Sequence, residues 1–253
     1  MIKIPYLYTT QQMEEIQHFI SENFGEAGGY IAHEITSEYV HTDTMMIAPE
    51  GENRALVTFG MGARPMTAPT NFKRTELLLS ASEKLEEISV DSFFLAGELV
   101  WTSKFPFRED TWLGPGHTIN SSDRFKEKTG YDYFALFDTH VSAKLTGIDE
   151  KIHFLRLVPI YEEEREWCVE NGTFPFLEKL YEEYGEDMFL ADGKRDLFIP
   201  EINEDEFADY NLMALLGIDR EGLRALCEYL DACSENGKEV TYEMIGKWLA
   251  ENR

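Results

Sequence analysis

Apolar residues recur at helical spacing near the start of the chain. Thr9 or Thr10 can cap a first helix, and Gly25 is placed to end it. The apolar side chains of this segment share one helical face: Met13, Ile16, Phe19 and Ile20. The pattern predicts an amphipathic helix that packs on the elements that follow it.

Short apolar runs replace the helical spacing after this segment. Four of them are rich in β-favouring residues and are separated by Gly, Pro and Asn: GYIAHEI, YVHTDTMMIAP, RALVTFGM and RTELLLS. Runs of this length and composition are typical of strands joined by turns. We expect them to form a meandering, largely antiparallel sheet.

The segment GMGARPM, residues 60–66, joins the third run to the fourth. Its glycines permit a positive φ, and Pro65 and Pro69 stiffen the path to the next strand. Neither a P-loop Lys-Ser/Thr nor a GxGxxG fingerprint is present, so we expect no nucleotide site here. We interpret the segment as a tight connection in which Met61 and Met66 fill the end of the sheet.

The second half of the chain mixes both patterns. VDSFFLAGELVWTSKF has helical spacing with Asp91 as a candidate cap, and the long loop PFREDTWLGPGHTINSSDRF follows it. YDYFALF, HVSAKLTG and KIHFLRLVPI have strand character. YEEEREWCVENG and FPFLEKLYEEYGED are predicted helices, and we expect the glutamates of the first to form a solvated face.

The order of these elements predicts an α+β fold with a central mixed, mostly antiparallel sheet packed with helices. A C-terminal all-helical appendix begins where the chain turns acidic at FIPEINEDEFADY. We place the main domain at residues 1–203 and the acidic helical extension at residues 204–253. A segment of this size buries too little surface to fold alone, so we expect it to pack on the main body.

Charge excludes some classes of partner. The chain carries 48 acidic and 23 basic residues, a formal net charge of −25. A field of this sign repels nucleic-acid phosphates and anionic lipid surfaces, so we expect no direct nucleic-acid binding and no membrane association. It attracts a basic protein, although acidity alone also serves solubility.

Three further features favour a cytoplasmic location. The segment MIKIPYLYTTQQMEEI lacks the apolar core of a signal peptide, and no run of about 18 apolar residues occurs. Cys168, Cys227 and Cys233 form no CxxC motif and cannot all pair. Their number suits a reducing compartment.

One pair of polar residues is a candidate for chemistry. His41 and Asp43 are two apart in a predicted strand, so their side chains lie on the same face and could form half of a metal site. His117 lies in a loop that could fold over this strand. A polar stripe on a solvated sheet face also explains the pair, and two ligands do not complete a site. We therefore expect no metal and no cofactor.

No nucleophile emerges from the sequence. Thr58 stands in TFGMG without a GxSxG elbow, and Cys168 lies within an amphipathic helix, where a buried structural thiol is expected. Nothing in the chain completes a catalytic set.

The ordered segments HTDTMMIAP, ALVTFGMGARPM, RTELLLS, LVWTSKFPF, TWLGPGHTI and IHFLRLVPIYEEEREWCVENG resemble the suppressor of fused domain family, in a bacterial-type form. The likeness runs from about Tyr30 to Leu180 and covers well over half of the chain. The acidic tail after about residue 203 lies outside it.

The resemblance implies a protein-binding role. The animal member is a non-enzymatic inhibitor that holds a transcription-factor peptide between two domains, and small bacterial members resemble immunity proteins. The peptide-contacting segment corresponds here to Phe105, Trp112 and His117, with Gly116 where the animal protein has aspartate. That departure, with the missing second domain, means that the same peptide is not the expected ligand.

We therefore expect a non-enzymatic protein-binding module, of the immunity or inhibitor type, that binds a protein or peptide through these four residues. A basic toxin such as a nuclease is the partner that the charge favours. The alternative is a metal- or nucleotide-dependent hydrolase that uses His41, Asp43 and His117.

Overall fold

A seven-stranded sheet forms the centre of the molecule. A computed structural model of the chain describes residues 6–35, 37–47, 53–69, 71–86, 88–201, 220–235 and 241–251. The described strands are β1 (Ala27–Ala32), β2 (Asp43–Ile47), β3 (Arg54–Phe59), β4 (Thr75–Ala81), β5 (Thr118–Asn120), β6 (Tyr133–Ala143) and β7 (Ile152–Ile160). The described helices are α1 (Thr10–Phe24), α2 (Val90–Ser103), α3 (Phe105–Arg108), α4 (Asp123–Thr129), α5 (Glu162–Asn171), α6 (Thr173–Tyr184), α7 (Arg220–Glu235) and α8 (Tyr242–Glu251).

The strands follow the order β1-β2-β3-β4-β7-β6-β5. Among the described strands, every neighbouring pair is antiparallel except β4 and β7, which pair in parallel from Thr75 opposite His153 to Leu79 opposite Leu157. A four-stranded meander and a three-stranded unit thus meet at one parallel pairing. The predicted α+β class, with its mixed and mostly antiparallel sheet, is confirmed.

Helices cover both faces of this sheet because alternate strand residues point to opposite sides. Leu77 and Leu79 of β4 pack in a core with Leu99 of α2, whereas Leu78 packs in a second core with Ile16 of α1. A third core lies under α5 and α6 and includes Val158 of β7. The chain is therefore a three-layer structure whose sheet is buried on both faces.

Helices α1 and α5 end where the sequence predicts. Thr9 caps α1 and shares a capping box with Gln12, and Gly25 follows the last turn. Gly172 ends α5. The cap of α2 is Ser89 rather than Asp91, because the Ser89 and Ser92 side chains each accept from the other residue's backbone amide. Asp91 lies in the first turn instead, where the helix dipole favours its charge.

Two stretches of the second half differ from the sequence prediction. The segment predicted as a long loop contains α3, β5 and the start of α4, each too short to give a periodic signal. The two runs predicted as separate strands form the single strand β6, whose register shifts between Asp138 and Ser142. His140 has a φ of 58° at this bulge.

The C-terminal extension contains α7 and α8, in agreement with its predicted helical character. Leu223, Leu226 and Cys233 are buried along one face of α7, and the Thr241 hydroxyl accepts from the amide of Met244 at the start of α8. The predicted boundary between residues 203 and 204 lies outside the described residues. The packing of this extension on the main body stays a prediction.

Candidate functional site

The segment of residues 105–117, here called the aromatic segment, connects α2 to β5. It begins with α3, where Pro106 occupies the first turn and so breaks no intrahelical hydrogen bond. It ends beside β6, where the Gly116 amide donates to the Leu136 carbonyl at 2.8 Å and the Leu136 amide donates to the His117 carbonyl at 2.9 Å. These two bonds hold the end of the segment on the edge of the sheet.

Trp112 and His117 pack against each other within this segment. Their ring centroids are 4.4 Å apart, and the rings meet edge-on at 66°. Trp112 is half-buried against the core under α2. It also covers Gly114, where an added Cβ would lie 2.2 Å from Trp112 Cζ3. The tryptophan ring is therefore fixed by its surroundings.

The imidazole of His117 is in a partly desolvated position. Burial lowers its pKa, and a hydrogen bond to the backbone of Trp112 opposes that shift. The net direction is downward, so His117 is a neutral ring at neutral pH. A neutral imidazole beside an indole forms a mainly apolar surface with one polar edge.

Phe174 of α6 extends this surface. Gly116 has a φ of 79°, and a Cβ at this position would lie 3.0 Å from Phe174 Cε2. The side of Phe174 away from the glycine is open, with 47% of the residue exposed. We call Trp112, Gly116, His117 and Phe174 the aromatic patch. Nothing in the sequence singled out Phe174, because its contact with Gly116 depends on the packing of α6.

Phe105 has a different neighbour. It is the first residue of α3, is half-buried against the same core, and has the Arg108 guanidinium 5.9 Å from its ring centroid. Of the four residues predicted for partner binding, the structure thus brings Trp112, Gly116 and His117 together. Their role in binding, and that of Phe105, stays a prediction.

A polar cluster lies where the connection between β1 and β2 joins the two strands. Ala32, the last residue of β1, pairs with Thr44, so His33, which follows the strand, lies beside Asp43. His33 Nδ1 is 2.9 Å and His41 Nε2 is 3.0 Å from the same atom, Asp43 Oδ1. The possible pair of His41 and Asp43 is present, but His41 precedes β2 instead of lying within it, and the Asp43 side chain is buried instead of on a solvated face. His33 joins the pair because of strand register, which the sequence alone did not show.

His117 is not part of this polar cluster. The cluster of the described residues whose ligating atoms lie within 4.8 Å of one another consists of His33, His41 and Asp43. His117 instead contacts Trp112, as described above. The loop that carries it is held to β6 rather than folded over β2.

A second layer of polar groups supports the cluster. Ser37 Oγ lies 2.7 Å from His41 Nδ1 and donates to Glu34 Oε2 at 2.9 Å. The same Glu34 oxygen accepts from Lys104 Nζ at 2.9 Å, and the Glu34 backbone amide donates to Asp43 Oδ1 at 3.0 Å. Burial lowers the pKa of Lys104, which Glu34 opposes. The ion pair therefore lies in a partly desolvated site.

The GMGARPM connection surrounds a buried carboxylate. Glu76 of β4 has no exposed surface and accepts hydrogen bonds from the amides of Gly60 and Gly62, each at 3.0 Å. The hydroxyls of Thr58 and Tyr8 donate to it at 2.7 and 2.9 Å. Desolvation raises the pKa of Glu76 to about 7. Met61 and Met66 are buried nearby, as predicted.

The burial of side chains bears on two other predictions, one about Cys168 and one about the glutamates of α5. Cys168 is 4% exposed, and desolvation raises the pKa of its thiol to about 12, which suits a structural residue and not a nucleophile. The prediction of a solvated glutamate face on α5 holds for Glu162, Glu163 and Glu166 but is wrong for Glu164. That side chain is fully buried and pairs with Arg195.

A cleft of 510 Å³ opens on the sheet face that carries α1. It lies between the end of α1, represented by Phe24, and the 3₁₀ turn at Gly185–Phe189, represented by Phe189. Leu78 of β4 and Arg156 of β7 form part of its floor. The described residues that line it come from these elements and not from the aromatic segment.

The region of the chain that contains these sites matches a known protein family. The family model "Suppressor of fused protein (SUFU)" matches residues 38–195, which include the polar cluster's His41 and Asp43, the Glu76 site and the aromatic segment. The chain belongs to the suppressor of fused family. The resemblance drawn from the sequence motifs is thereby confirmed.

Solved structures of the SUFU family share this fold. A protein described as a SUFU homologue from Neisseria gonorrhoeae FA 1090 is 15% identical, with a TM-score of 0.51 over 77% of this chain and 98% of that one. Drosophila Suppressor of Fused is 11% identical, with a TM-score of 0.53 over 82% of this chain and 55% of that one. A chain of the Sufu–Fu complex is also 11% identical, with a TM-score of 0.51 over 83% and 97% of the two chains.

No curated protein sequence matches the chain. At the identities found, the likeness to SUFU structures concerns the fold. Among the residues that the structure describes, no helix combines the length and apolar character needed to cross a lipid bilayer.

Proposed function

We propose that this SUFU-family chain is a non-enzymatic protein-binding module of the immunity or inhibitor type. The aromatic patch is the observation that supports this proposal. Trp112 is held by Gly114 and His117, and Phe174 remains 47% exposed beside Gly116. Aromatic side chains at such positions contribute a large share of the binding energy at protein interfaces.

The aromatic patch is held rigidly before any partner binds. Since Trp112 is packed against the core and the segment is bonded to β6, little conformational entropy remains to be lost when a partner binds. His117 adds a polar edge that can form a directional hydrogen bond. The relative in the Sufu–Fu complex was solved with a protein partner, which supports protein binding as the general role.

The charge of the chain supports a basic partner. A net charge of −25 steers positively charged proteins towards the surface and opposes nucleic acids and anionic membranes. A basic toxin such as a nuclease has clusters of Lys and Arg built to hold phosphates, and these are complementary to clustered carboxylates. We place the interaction in the cytoplasm, where the three free cysteines stay reduced.

The experiment starts with capture on the immobilised chain at low salt. The recurring basic protein is then purified, and its dissociation constant is measured with the wild-type chain and with two variants. We expect Trp112→Ala to weaken binding by at least about tenfold, the change expected for an interface anchor. Phe93→Ala, which truncates a 55% exposed aromatic residue on α2, is the matched control and should leave affinity unchanged.

Two results would contradict the proposal. Equal affinity of the Trp112→Ala and Phe93→Ala variants would remove the aromatic patch from the interface. Failure to reconstitute any complex, together with a measured turnover, would remove the binding-module role itself.

The second candidate is a metal- or nucleotide-dependent hydrolase that uses His41, Asp43 and His117. The 3.0 Å contact between His41 and Asp43 favours it, since a carboxylate that orients an imidazole is a common catalytic arrangement. The position of His117 beside Trp112 does not add a third group to that pair. A hydrolytic turnover abolished by His41→Ala and retained by His18→Ala would establish this candidate.

A further inference from the structure

The polar cluster brings three potential metal-ligating atoms to one point. Ser37 Oγ donates to Glu34 Oε2 at 2.9 Å and lies 2.7 Å from His41 Nδ1, so the His41 ring is held with its other nitrogen towards Asp43. That nitrogen, Nε2, lies 3.0 Å from Asp43 Oδ1.

A second imidazole nitrogen, His33 Nδ1, points at the same oxygen from 2.9 Å. The two rings face one another with centroids 4.8 Å apart. One metal ion would satisfy both nitrogens and the carboxylate together.

We propose that His33, His41 and Asp43 form a binding site for one divalent transition-metal ion of the Zn²⁺ type. Two imidazole nitrogens and one carboxylate oxygen are a donor set that suits Zn²⁺ and Co²⁺ better than Mg²⁺ or Ca²⁺, which prefer oxygen. The three ligating atoms lie within 4.8 Å of one another. Metal–ligand bonds of about 2.0–2.2 Å require the nitrogens to move only a few tenths of an ångström away from Asp43.

The backbone around the site is already fixed in place. Gly60 has a φ of 122°, and a Cβ there would lie 2.3 Å from the His41 carbonyl oxygen, so a glycine is needed for the close approach of the two strands. Asp43 pairs with Phe59 in the sheet. The Ser37 contact sets the orientation of the His41 ring, as outer hydrogen bonds do at known metal centres.

The exposed side chain of His33 leaves the proposed metal site open to solvent on one side. The side chain of His33 is 70% exposed, while those of His41 and Asp43 are 19% and 5% exposed. An ion bound here would face solvent on the side of His33. Three protein ligands leave a fourth position for water or for a side chain of a partner. The site therefore goes beyond the proposed protein-binding function and does not depend on it.

The test uses the full chain after dialysis against EDTA, titrated with ZnCl₂ and, as a spectroscopic probe, with CoCl₂. We expect one equivalent of Zn²⁺ in calorimetry, a rise in melting temperature on saturation, and visible d–d bands of bound Co²⁺. Mg²⁺ and Ca²⁺ should produce none of these changes at the same concentrations.

Variants separate this site from adventitious histidine binding. His33→Ala should weaken Zn²⁺ binding by at least about tenfold, the lower end of the loss seen even for an outer hydrogen-bond partner of a metal ligand. Asp43→Asn tests the carboxylate while keeping an acceptor for the Glu34 amide. His18→Ala is the matched control, because His18 is exposed and lies 3.1 Å from Glu22 on α1.

Either of two outcomes would overturn the inference. One is the absence of saturable binding of one equivalent by the wild-type chain. The other is equal Zn²⁺ affinity of the His33→Ala and His18→Ala variants. Melting curves in the absence of metal establish that each variant is folded, and the high exposure of His33 makes that variant safe in this respect.

Discussion

The backbone amide of Gly62 donates a hydrogen bond to Glu76 Oε1 at 3.0 Å, inside a core where Glu76 has no exposed surface. Arg74 holds the other side of the same turn, since its Nη1 donates to the carbonyls of Gly62 and Ala63 at 2.8 Å each. The glycine-rich connection is thus bonded to β4 through its amides and to Arg74, the residue before β4, through its carbonyls. It is a structural element that satisfies a buried carboxyl group.

Gly62→Ala should destabilise the protein by about 1–3 kcal/mol, the usual cost of overfilling a packed core. A Cβ at this position would lie 2.4 Å from the Tyr8 hydroxyl and 3.2 Å from Glu76 Oε1. Gly97→Ala on α2 is the matched control, because nothing lies within 4 Å of its Cβ, and it should be neutral or stabilising by up to about 1 kcal/mol. Urea denaturation measures the free energy of unfolding of both variants. Equal stabilities of the two variants would contradict the structural role of the glycine-rich connection.

The stability of the wild-type chain should fall relative to that of Glu76→Gln as pH rises from about 4.5 to about 7. The pKa of Glu76 is raised from 4.5 to about 7 on folding, so the folded state binds this proton more tightly than the unfolded state. The full effect is on the order of 3 kcal/mol, lost through this window and constant above it.

Denaturation at a series of pH values measures this difference, and other carboxyl groups cancel because both proteins contain them. Glu83→Gln, a change at an exposed glutamate, is the control for loss of one carboxyl group. Parallel curves for Glu76→Gln would show that the four hydrogen bonds keep the carboxylate charged in the folded state.

Arg195→Ala should cost about 3–5 kcal/mol, because it leaves the buried carboxylate of Glu164 without its cation. Arg195 Nη2 lies 2.6 Å from Glu164 Oε2, and the guanidinium also lies 5.4 Å from the ring centroid of Tyr161. Arg108→Ala, at an exposed pair with Glu109, should cost no more than about 1 kcal/mol. Thermal unfolding compares the two, and similar melting temperatures would remove the ion pair from the stability of the α5 region.

Association with the basic partner should slow as salt is added. Exposed charges are screened over a Debye length of about 8 Å at physiological ionic strength, so steering by the acidic surface weakens with increasing salt. Stopped-flow association rates across a salt series test this expectation. A rate that is flat with salt would leave recognition to the aromatic patch alone.

Much of the fold could be predicted because its signals are local. The capping box at Thr9 and the alternation of apolar residues in the strands depend on neighbours a few positions away. The order of motifs led to the same family as the family model that matches residues 38–195. The sequence did not show elements that are short or that depend on strand pairing. Helices α3 and α4 and strand β5 are too brief for periodicity, and the bulge of β6 made one strand resemble two.

Some residues of the candidate sites could be associated from the sequence, whereas others are brought together only by the fold. Trp112 and His117 are five positions apart and could be associated from the sequence, as could His41 and Asp43. His33 enters the polar cluster only through the register of β1 with β2, and Phe174 reaches Gly116 only through the packing of α6. The sequence around Glu164 is as polar as that around its exposed neighbours. Its burial is explained by the ion pair with Arg195, which is distant in the sequence.

The parallel pairing of β4 with β7 has a consequence for synthesis of the chain. Strands β1 to β4 can pair in order as they leave the ribosome, but β4 keeps an unpaired edge until Ile152–Ile160 has been made. Such an edge can pair with other chains, and contacts between distant segments form slowly. Until β7 has been synthesised, the first half of the chain therefore exposes an apolar strand edge to which a chaperone can bind.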